Sequence, residues 1–296
     1  GLGDVYKRQV YNGRFKPETY LELLQEYQIN VLCCTPTEYR MMAKLQNLDD
    51  YHLEHLHSAV SAGEPLNREV VEQFKKYFNI TVRDGYGQTE STLLIGFLKD
   101  TVSRPGAMGK SIPGSYTTII DDDGNEVEPN VKGNIAVPLD LPALFKGYFK
   151  EPERTAAARL GDYYVTGDLA HQDEDGYFWF EGRKDDIIIS SGYTIGPFEV
   201  EDALTNHPAV KECAVVASPH ELRGNIVKAF IILQNGYTGD DELIKELQTF
   251  TKNEVAPYKY PRAIEFVEDL PKTNSGKIRR VELRDAEVEK YNQEHE

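Results

Sequence analysis

Long apolar runs, disulfide-forming cysteines and excess positive charge are all scarce in this 296-residue chain. No apolar stretch approaches the roughly 20 residues a helix needs to cross a bilayer, so a helical transmembrane segment is excluded. The three cysteines, Cys33, Cys34 and Cys213, include an adjacent pair and give no disulfide framework. That usage fits a reducing compartment, and a cytoplasmic location is the expectation. Lysine and arginine number 33 against 49 aspartates and glutamates, for a formal charge of −16. Binding a polyanion requires a basic stripe that displaces counterions, and none is found, so nucleic acid is not an expected partner. The chain opens on Gly1 with no secretory apolar region, and residues 1–9 carry no pattern that bears on the fold. The seven histidines fall at no trustworthy metal-ligand spacing.

What is present is an ordinary globular composition: 40% apolar, 28% charged and 10% aromatic residues. The length allows about two domains. From Leu66 to Phe78 the apolar residues Leu66, Val70, Val71, Phe74 and Phe78 recur on one helical face, and Pro65 marks a helix start. A strand-like Ile80-Thr81-Val82 leads into the polar segment Arg83 to Glu90, which carries Gly85 and Gly87 and reads as a ligand loop at a strand end. The middle, about 105–182, is rich in glycine and proline. Its short strand signals are Thr117–Ile120, Asn134–Val137 and Tyr177–Phe180, with a turn at Asp121–Asn125, and they suggest a small β-barrel or distorted sheet. The last third changes to an α/β pattern. Strands are expected at Ile187–Ile189, Ala214–Val216 and Ala229–Leu233, helices at Phe198–Asn206 and Asp241–Glu254, and a charged helical tail from Ala286. The boundary is expected at Gly182–Asp186, giving units of 1–184 and 185–296.

Four polar clusters have chemical potential. In Asp84-Gly85-Tyr86-Gly87-Gln88-Thr89-Glu90, glycines permit close backbone approach, Tyr86 can stack on a base, Thr89 can bond phosphate and Glu90 can hold Mg²⁺. In Tyr164-Val165-Thr166-Gly167-Asp168, the carboxylate can accept two bonds from a ribose diol, each worth about 1.5–3 kcal/mol. Gly182-Arg183-Lys184-Asp185-Asp186, followed by the Ser190–Gly196 stretch, offers Arg183 as a fork for ribose or phosphate. Pro271–Arg280 places Lys277 after a Ser-Gly turn, where a point charge can reach a developing negative charge. In isolation each cluster has a plainer meaning: a turn, an Asx turn, a solvated charge run and a basic loop.

Taken together, their order and wording resemble the adenylate-forming superfamily of acyl-CoA synthetases, luciferases and peptide-synthetase adenylation domains. Residues 33–40 (Cys-Cys-Thr-Pro-Thr-Glu-Tyr-Arg), 61–66 (Ser-Ala-Gly-Glu-Pro-Leu) and 192–201 most resemble medium-chain acyl-CoA synthetases. The likeness runs from about Val10 to Arg280. It implies a mixed α/β fold: the later part of a large N-terminal α/β plus β-barrel domain, then a small mobile C-terminal α/β domain.

The resemblance also implies an ATP-dependent acyl-CoA synthetase, with ATP, Mg²⁺, coenzyme A and a carboxylic acid as its ligands. Gly63, Glu64 and Pro65, with Asp84, Gly85, Tyr86 and Gly87, would frame the adenine. Thr89 would touch the α-phosphate, Glu90 the magnesium, and Asp168 with Arg183 the ribose. Lys277 would act in adenylation only, Asp185 would be the hinge, and Gly192 would line the thiol tunnel once the small domain has turned. Two departures stand out. A Ser/Thr/Gly-rich phosphate loop ending in Pro-Lys is expected upstream of Cys33 and is missing, so the chain alone is expected not to adenylate. Thr194 stands where many relatives carry arginine, which weakens any phosphate contact there. The alternatives are an adenylation module that loads a carrier protein and a non-catalytic nucleotide-binding remnant.

Overall fold

The structure, a computed structural model, describes residues 13, 15–273 and 277–295. The segment 1–9, and the Ser-Gly turn at 275–276, lie outside the described residues. Three sheets follow one another along the chain. The first is built from β1 (Val31–Cys34), β2 (Ser58–Ala62), β3 (Val82–Gln88), β4 (Thr92–Gly96) and β5 (Lys110–Ser111), in that order. β1, β2 and β3 run parallel, and β4 and β5 continue antiparallel. Helices α1 (Pro17–Glu26), α2 (Pro36–Ala43) and α3 (Arg68–Phe78) accompany the parallel part. Their apolar stripes meet in a core where Leu21, Tyr39, Met42, Val70 and Phe74 are fully buried.

The sequence accounts for these helices locally. Thr35 and Glu38 form a reciprocal capping box that fixes the start of α2 directly after β1. α3 begins at Arg68, two residues later than the expected Leu66, because Asn67 takes the extended cap position. It stops at Asn79, whose left-handed φ of 54° ends the helix before β3.

The second sheet is antiparallel: β6 (Thr118–Ile120), β7 (Gly133–Pro138), β9 (Tyr163–Gln172) and β10 (Phe178–Arg183), with β8 (Arg159–Leu160) also on β9. A short helix α4 (Pro152–Ala157) precedes β8. Buried Ile135, Val137, Ala170 and Phe178 from this sheet pack with Leu94 and Ile95 of β4, so the first two sheets share a core.

The third sheet orders β12 (Tyr193–Ile195), β11 (Ile188–Ser190), β14 (Gly224–Leu233) and β13 (Val210–His220), with β15 (Ala263–Phe266) parallel to β14. Helices α5 (Pro197–Thr205), α6 (Asp241–Glu254) and α7 (Arg280–His295) belong to it. α6 has the expected bounds. α7 starts six residues earlier than the charged tail suggested, because Arg280 is anchored. Its guanidinium bonds both oxygens of buried Glu201 on α5, at 2.9 and 2.6 Å. Glu201 also accepts the Val215 amide of β13 at 2.8 Å. α5, β13 and α7 therefore converge on one carboxylate.

Two readings need correction. The segment 83–88 is not a loop but most of β3, and Thr166-Gly167-Asp168 is not a turn but the interior of β9. In both places a bulge replaces the turn. The β3–β4 register shifts between Tyr86 and Gly87. Across from β9, Asn134 pairs with Leu169 and Ala136 with Val165, which leaves three β9 residues opposite Ile135, and Gly167 takes φ 81°. Glycine and polar residues mark a bulge as readily as a turn.

Glu201→Ala should destabilise the protein by about 3 kcal/mol in a denaturant titration, because it strands a guanidinium among buried groups. This is the lower end for a broken buried pair, since the Arg280 side chain keeps 26% of its exposure.

Candidate active site

The three sheets meet around one cleft of about 1180 Å³. The parallel strand β2 delivers Gly63, Glu64 and Pro65 at its end, and β3 delivers Asp84 through Gln88 beside them. Thr89 and Glu90 occupy the turn from β3 into β4. That turn is tight: Thr92, a β-branched residue, takes φ 65°, and a Cβ on Gly87 would lie 1.9 Å from the Thr92 carbonyl oxygen. Gly87 is therefore required for the backbone approach that presents Thr89 and Glu90.

Asp168 and Arg183 are 15 residues apart in sequence but face each other across the β9–β10 ladder. Directly opposed residues share a face with Cβ atoms about 5 Å apart, so both side chains serve the same wall of the cleft. The Asp168 carboxylate accepts the Tyr86 hydroxyl at 2.6 Å and the Gln88 amide at 2.9 Å, both on one oxygen, Oδ2. Gln88 also donates to the Thr166 carbonyl at 2.9 Å and accepts the Tyr164 hydroxyl at 2.9 Å. Burial raises the Asp168 pKa, and the Tyr86 hydroxyl, Arg183 and Gln88 oppose that rise. Burial and the Asp168 charge push the Tyr86 hydroxyl far above its ordinary range, which keeps it a donor.

Glu64 receives the Thr37 hydroxyl at 2.7 Å and Arg40 at 3.3 Å on one oxygen, while its buried Oε1 has no partner among the described residues. Asp84 is buried and its carboxyl is pushed up to about 7. Glu90 accepts the Tyr148 hydroxyl at 3.0 Å, and its backbone carbonyl accepts the Phe145 amide at 2.7 Å.

Lys277 reaches this cleft from the far end of the chain. A Cβ placed on Gly63 would stand 3.6 Å from its Nζ. The lysine is held from below: its amide donates to the Thr273 hydroxyl at 3.1 Å, and its carbonyl accepts the Thr273 amide at 2.8 Å. Asp185 also lines the cleft, and its carbonyl accepts Arg284 of α7 at 2.7 Å. Neither Gly192, in the β11–β12 turn, nor Thr194 lines it.

The arrangement thus brings together every candidate residue except Gly192. Sequence reasoning gave no role to Gln88, Tyr164 or Tyr148. The first two sat inside clusters already singled out. Tyr148 lies 58 residues from its partner Glu90, and nothing in the sequence signals that contact. Among the described residues no group of three or more His, Cys, Asp or Glu could hold a metal ion. One carboxylate, Glu90, suits Mg²⁺ that brings its remaining ligands as water and substrate phosphate. No helix among the described residues is long and apolar enough to cross a membrane.

Two family models match the chain: the AMP-binding enzyme model over residues 8–149 and the AMP-binding enzyme C-terminal domain model over 199–277. The chain belongs to the AMP-binding enzyme family. Within it, an uncharacterized acyl-CoA ligase of Bacillus subtilis (strain 168) is 66% identical over 286 residues, covering 97% of this chain and 54% of the relative. The mitochondrial acyl-coenzyme A synthetase ACSM3 of Rattus norvegicus is 48% identical, covering 93% of this chain and 48% of the relative. The anthranilate CoA ligase AuaEII, solved with anthranoyl-AMP, aligns with a TM-score of 0.84 at 33% identity, covering 91% of this chain and 52% of the other. ATP-bound MatB from Rhodopseudomonas palustris aligns at 0.81 and 29% identity, covering 92% and 53%. The chain spans about half the length of the curated relatives it matches. Its α/β architecture is that of adenylate-forming enzymes of this family.

Asp84 links the site to pH. Its folded pKa of about 7 lies above the ordinary 3.8, so the folded state holds the proton more tightly than the unfolded chain. Its contribution therefore weakens stability as pH rises from 3.8 through about 7. Asp84→Asn should flatten that slope and raise the denaturant midpoint above pH 7 relative to wild type, with little difference near pH 4. Gly87→Ala should lower the melting temperature by several degrees, because the added carbon meets backbone.

Proposed function

We propose that this chain supplies the nucleotide-binding and lysine-loop portion of an ATP-dependent acyl-CoA synthetase. The observation that carries the reading is the placement of Lys277 against Gly63, in a cleft walled by Tyr86, Asp168, Arg183 and Glu90. Residues from three sheets meet there, and their types suit a nucleoside polyphosphate. The acyl-CoA ligase names of the relatives support the same chemistry.

In the first half-reaction a carboxylate oxygen of the acid attacks the α-phosphorus of ATP. The bond to pyrophosphate breaks and an acyl-adenylate forms. In the second, a thiol attacks the acyl carbon and AMP leaves; coenzyme A is the proposed thiol. Gly63, Glu64, Pro65 and the β3 backbone through Asp84, Gly85 and Gly87 bound the adenine, with Tyr86 against its face. Asp168 has one carboxylate oxygen occupied by Tyr86 and Gln88, which leaves Oδ1 for a ribose hydroxyl, and Arg183 stands opposite. Thr89 lies at the α-phosphate. Glu90 would hold Mg²⁺, which would neutralise part of the polyphosphate charge. Lys277 offsets negative charge as it grows on the α-phosphate. This is catalysis by differential stabilisation of the transition state.

The small unit from residue 185 onward turns about Asp185 between the half-reactions, withdrawing Lys277 and presenting Gly192 to the thiol path. The position of Gly192 outside the cleft is consistent with an adenylation arrangement. The acid is a medium-chain or other small fatty acid, a reading that rests on the resemblance in residues 33–40, 61–66 and 192–201. The 296-residue chain by itself contains no Ser/Thr/Gly-rich phosphate loop upstream of Cys33, so it is not expected to sustain adenylation alone.

Lys277→Ala in the full-length protein should slow adenylate formation by about 10²–10³, as for loss of one transition-state donor. Thioester formation from a supplied acyl-adenylate should survive. Pyrophosphate exchange and a thioester assay read the two halves separately; equal survival of both would sink the role given to Lys277.

A further inference from the structure

The segment 145–154 packs against Glu90. Two contacts fix the geometry. The Phe145 amide donates to the Glu90 carbonyl at 2.7 Å, and the Tyr148 hydroxyl donates to Glu90 Oε1 at 3.0 Å. The same segment thus holds both the backbone and the carboxylate of one residue. Tyr148 is in turn fixed on two sides. Its ring packs edge-on against Phe145, centroids 4.9 Å apart, and the Arg154 guanidinium lies 3.9 Å over its ring. Phe145 packs edge-on against Tyr164, whose hydroxyl reaches Gln88. Tyr148, Arg154, Tyr164 and Glu90 all line the cleft.

A carboxylate on a three-residue turn has rotational freedom that costs affinity when it must hold an ion. A hydroxyl on Oε1 removes that freedom and leaves Oε2 for a cation. Partners of this kind orient metal ligands, and losing one typically costs 10–100-fold in metal affinity or activity.

From this geometry we propose that Tyr148 is a positioning residue for the divalent cation that accompanies the nucleotide. It sets the Glu90 carboxylate, and Arg154, stacked on the ring, together with Phe145 keeps the hydroxyl aimed. The inference rests on the reading of Glu90 as the metal carboxylate, and it assigns the 145–154 segment a part in the site beyond that reading.

The test is Mn²⁺ binding, followed by electron paramagnetic resonance, to the full-length protein saturated with a non-hydrolysable ATP analogue. Tyr148→Phe removes only the hydroxyl and keeps the ring that Phe145 and Arg154 pack on. The expected result is a 10–100-fold weaker Mn²⁺ affinity and a matching rise in the Mg²⁺ needed for half-maximal pyrophosphate exchange. The thermal midpoint of the metal-free variant should stay within a few degrees of wild type, because the half-buried ring and its packing are kept. Unchanged Mn²⁺ affinity in Tyr148→Phe, with Glu90→Gln losing it, overturns the role of Tyr148 and leaves Glu90 intact. Unchanged affinity in both variants overturns the reading of Glu90 itself. A large fall in thermal midpoint with unchanged metal dependence would make Tyr148 a structural residue only.

Discussion

One buried carboxylate oxygen joins the two sheets that enclose the cleft. Oδ2 of Asp168, in β9, takes hydrogen bonds from Tyr86 and Gln88, both in β3. Asp168 is only 8% exposed, so leaving that oxygen unpaired would carry the full cost of desolvating a charge. The same requirement fixes the rest. Tyr86 and Gln88 point toward β9 together because residues two apart on β3 share one face. Gly167, at φ 81°, lets β9 bulge opposite Ile135 just before Asp168. Arg183 shares the wall because strand register places it opposite Asp168. Removing the carboxylate would cost the orientation of both Tyr86 and Gln88.

Much of the architecture was readable from periodicity. The apolar spacing in α3 and α6 reported a buried stripe, and the short β-branched runs in the last third reported strands. Those signals survive because each depends on neighbours within one turn or one strand. The two misread segments failed for the same reason. Gly85 and Gly87, and Gly167, punctuate the chain as turn residues do, but here they let strands bulge or approach closely. Whether a glycine turns the chain or kinks a strand depends on partners such as Thr92 and Ile135, which local sequence does not name. The start of α7 was missed because Arg280 is held by Glu201, 79 positions away.

For the site, the residue types in each cluster were legible, and their convergence was not. The resemblance supplied the roles; the structure adds the cross-strand pairing of Asp168 with Arg183, the Gln88 relay, and the seat of Lys277 on Gly63. Tyr148 shows the boundary of sequence reasoning. Its hydroxyl matters through one contact to Glu90, and an isolated tyrosine in a glycine- and proline-rich stretch carries no pattern.

The contacts that hold the third sheet against the first have a common character. Lys44 donates to the Thr205 carbonyl at 2.9 Å, Asn67 donates to Asp202 at 2.9 Å, and Arg40 connects Asn67 to Glu64 at the cleft. Each of these includes a charged group, and the net worth of such a bond is about 1.5–3 kcal/mol. Beside this polar seam lies an apolar contact, Phe180 of β10 edge-on against Phe198 of α5 with ring centroids 6.0 Å apart. The boundary near Lys277 and Gly63 thus combines directional polar contacts, which set its register, with a small patch of ring packing.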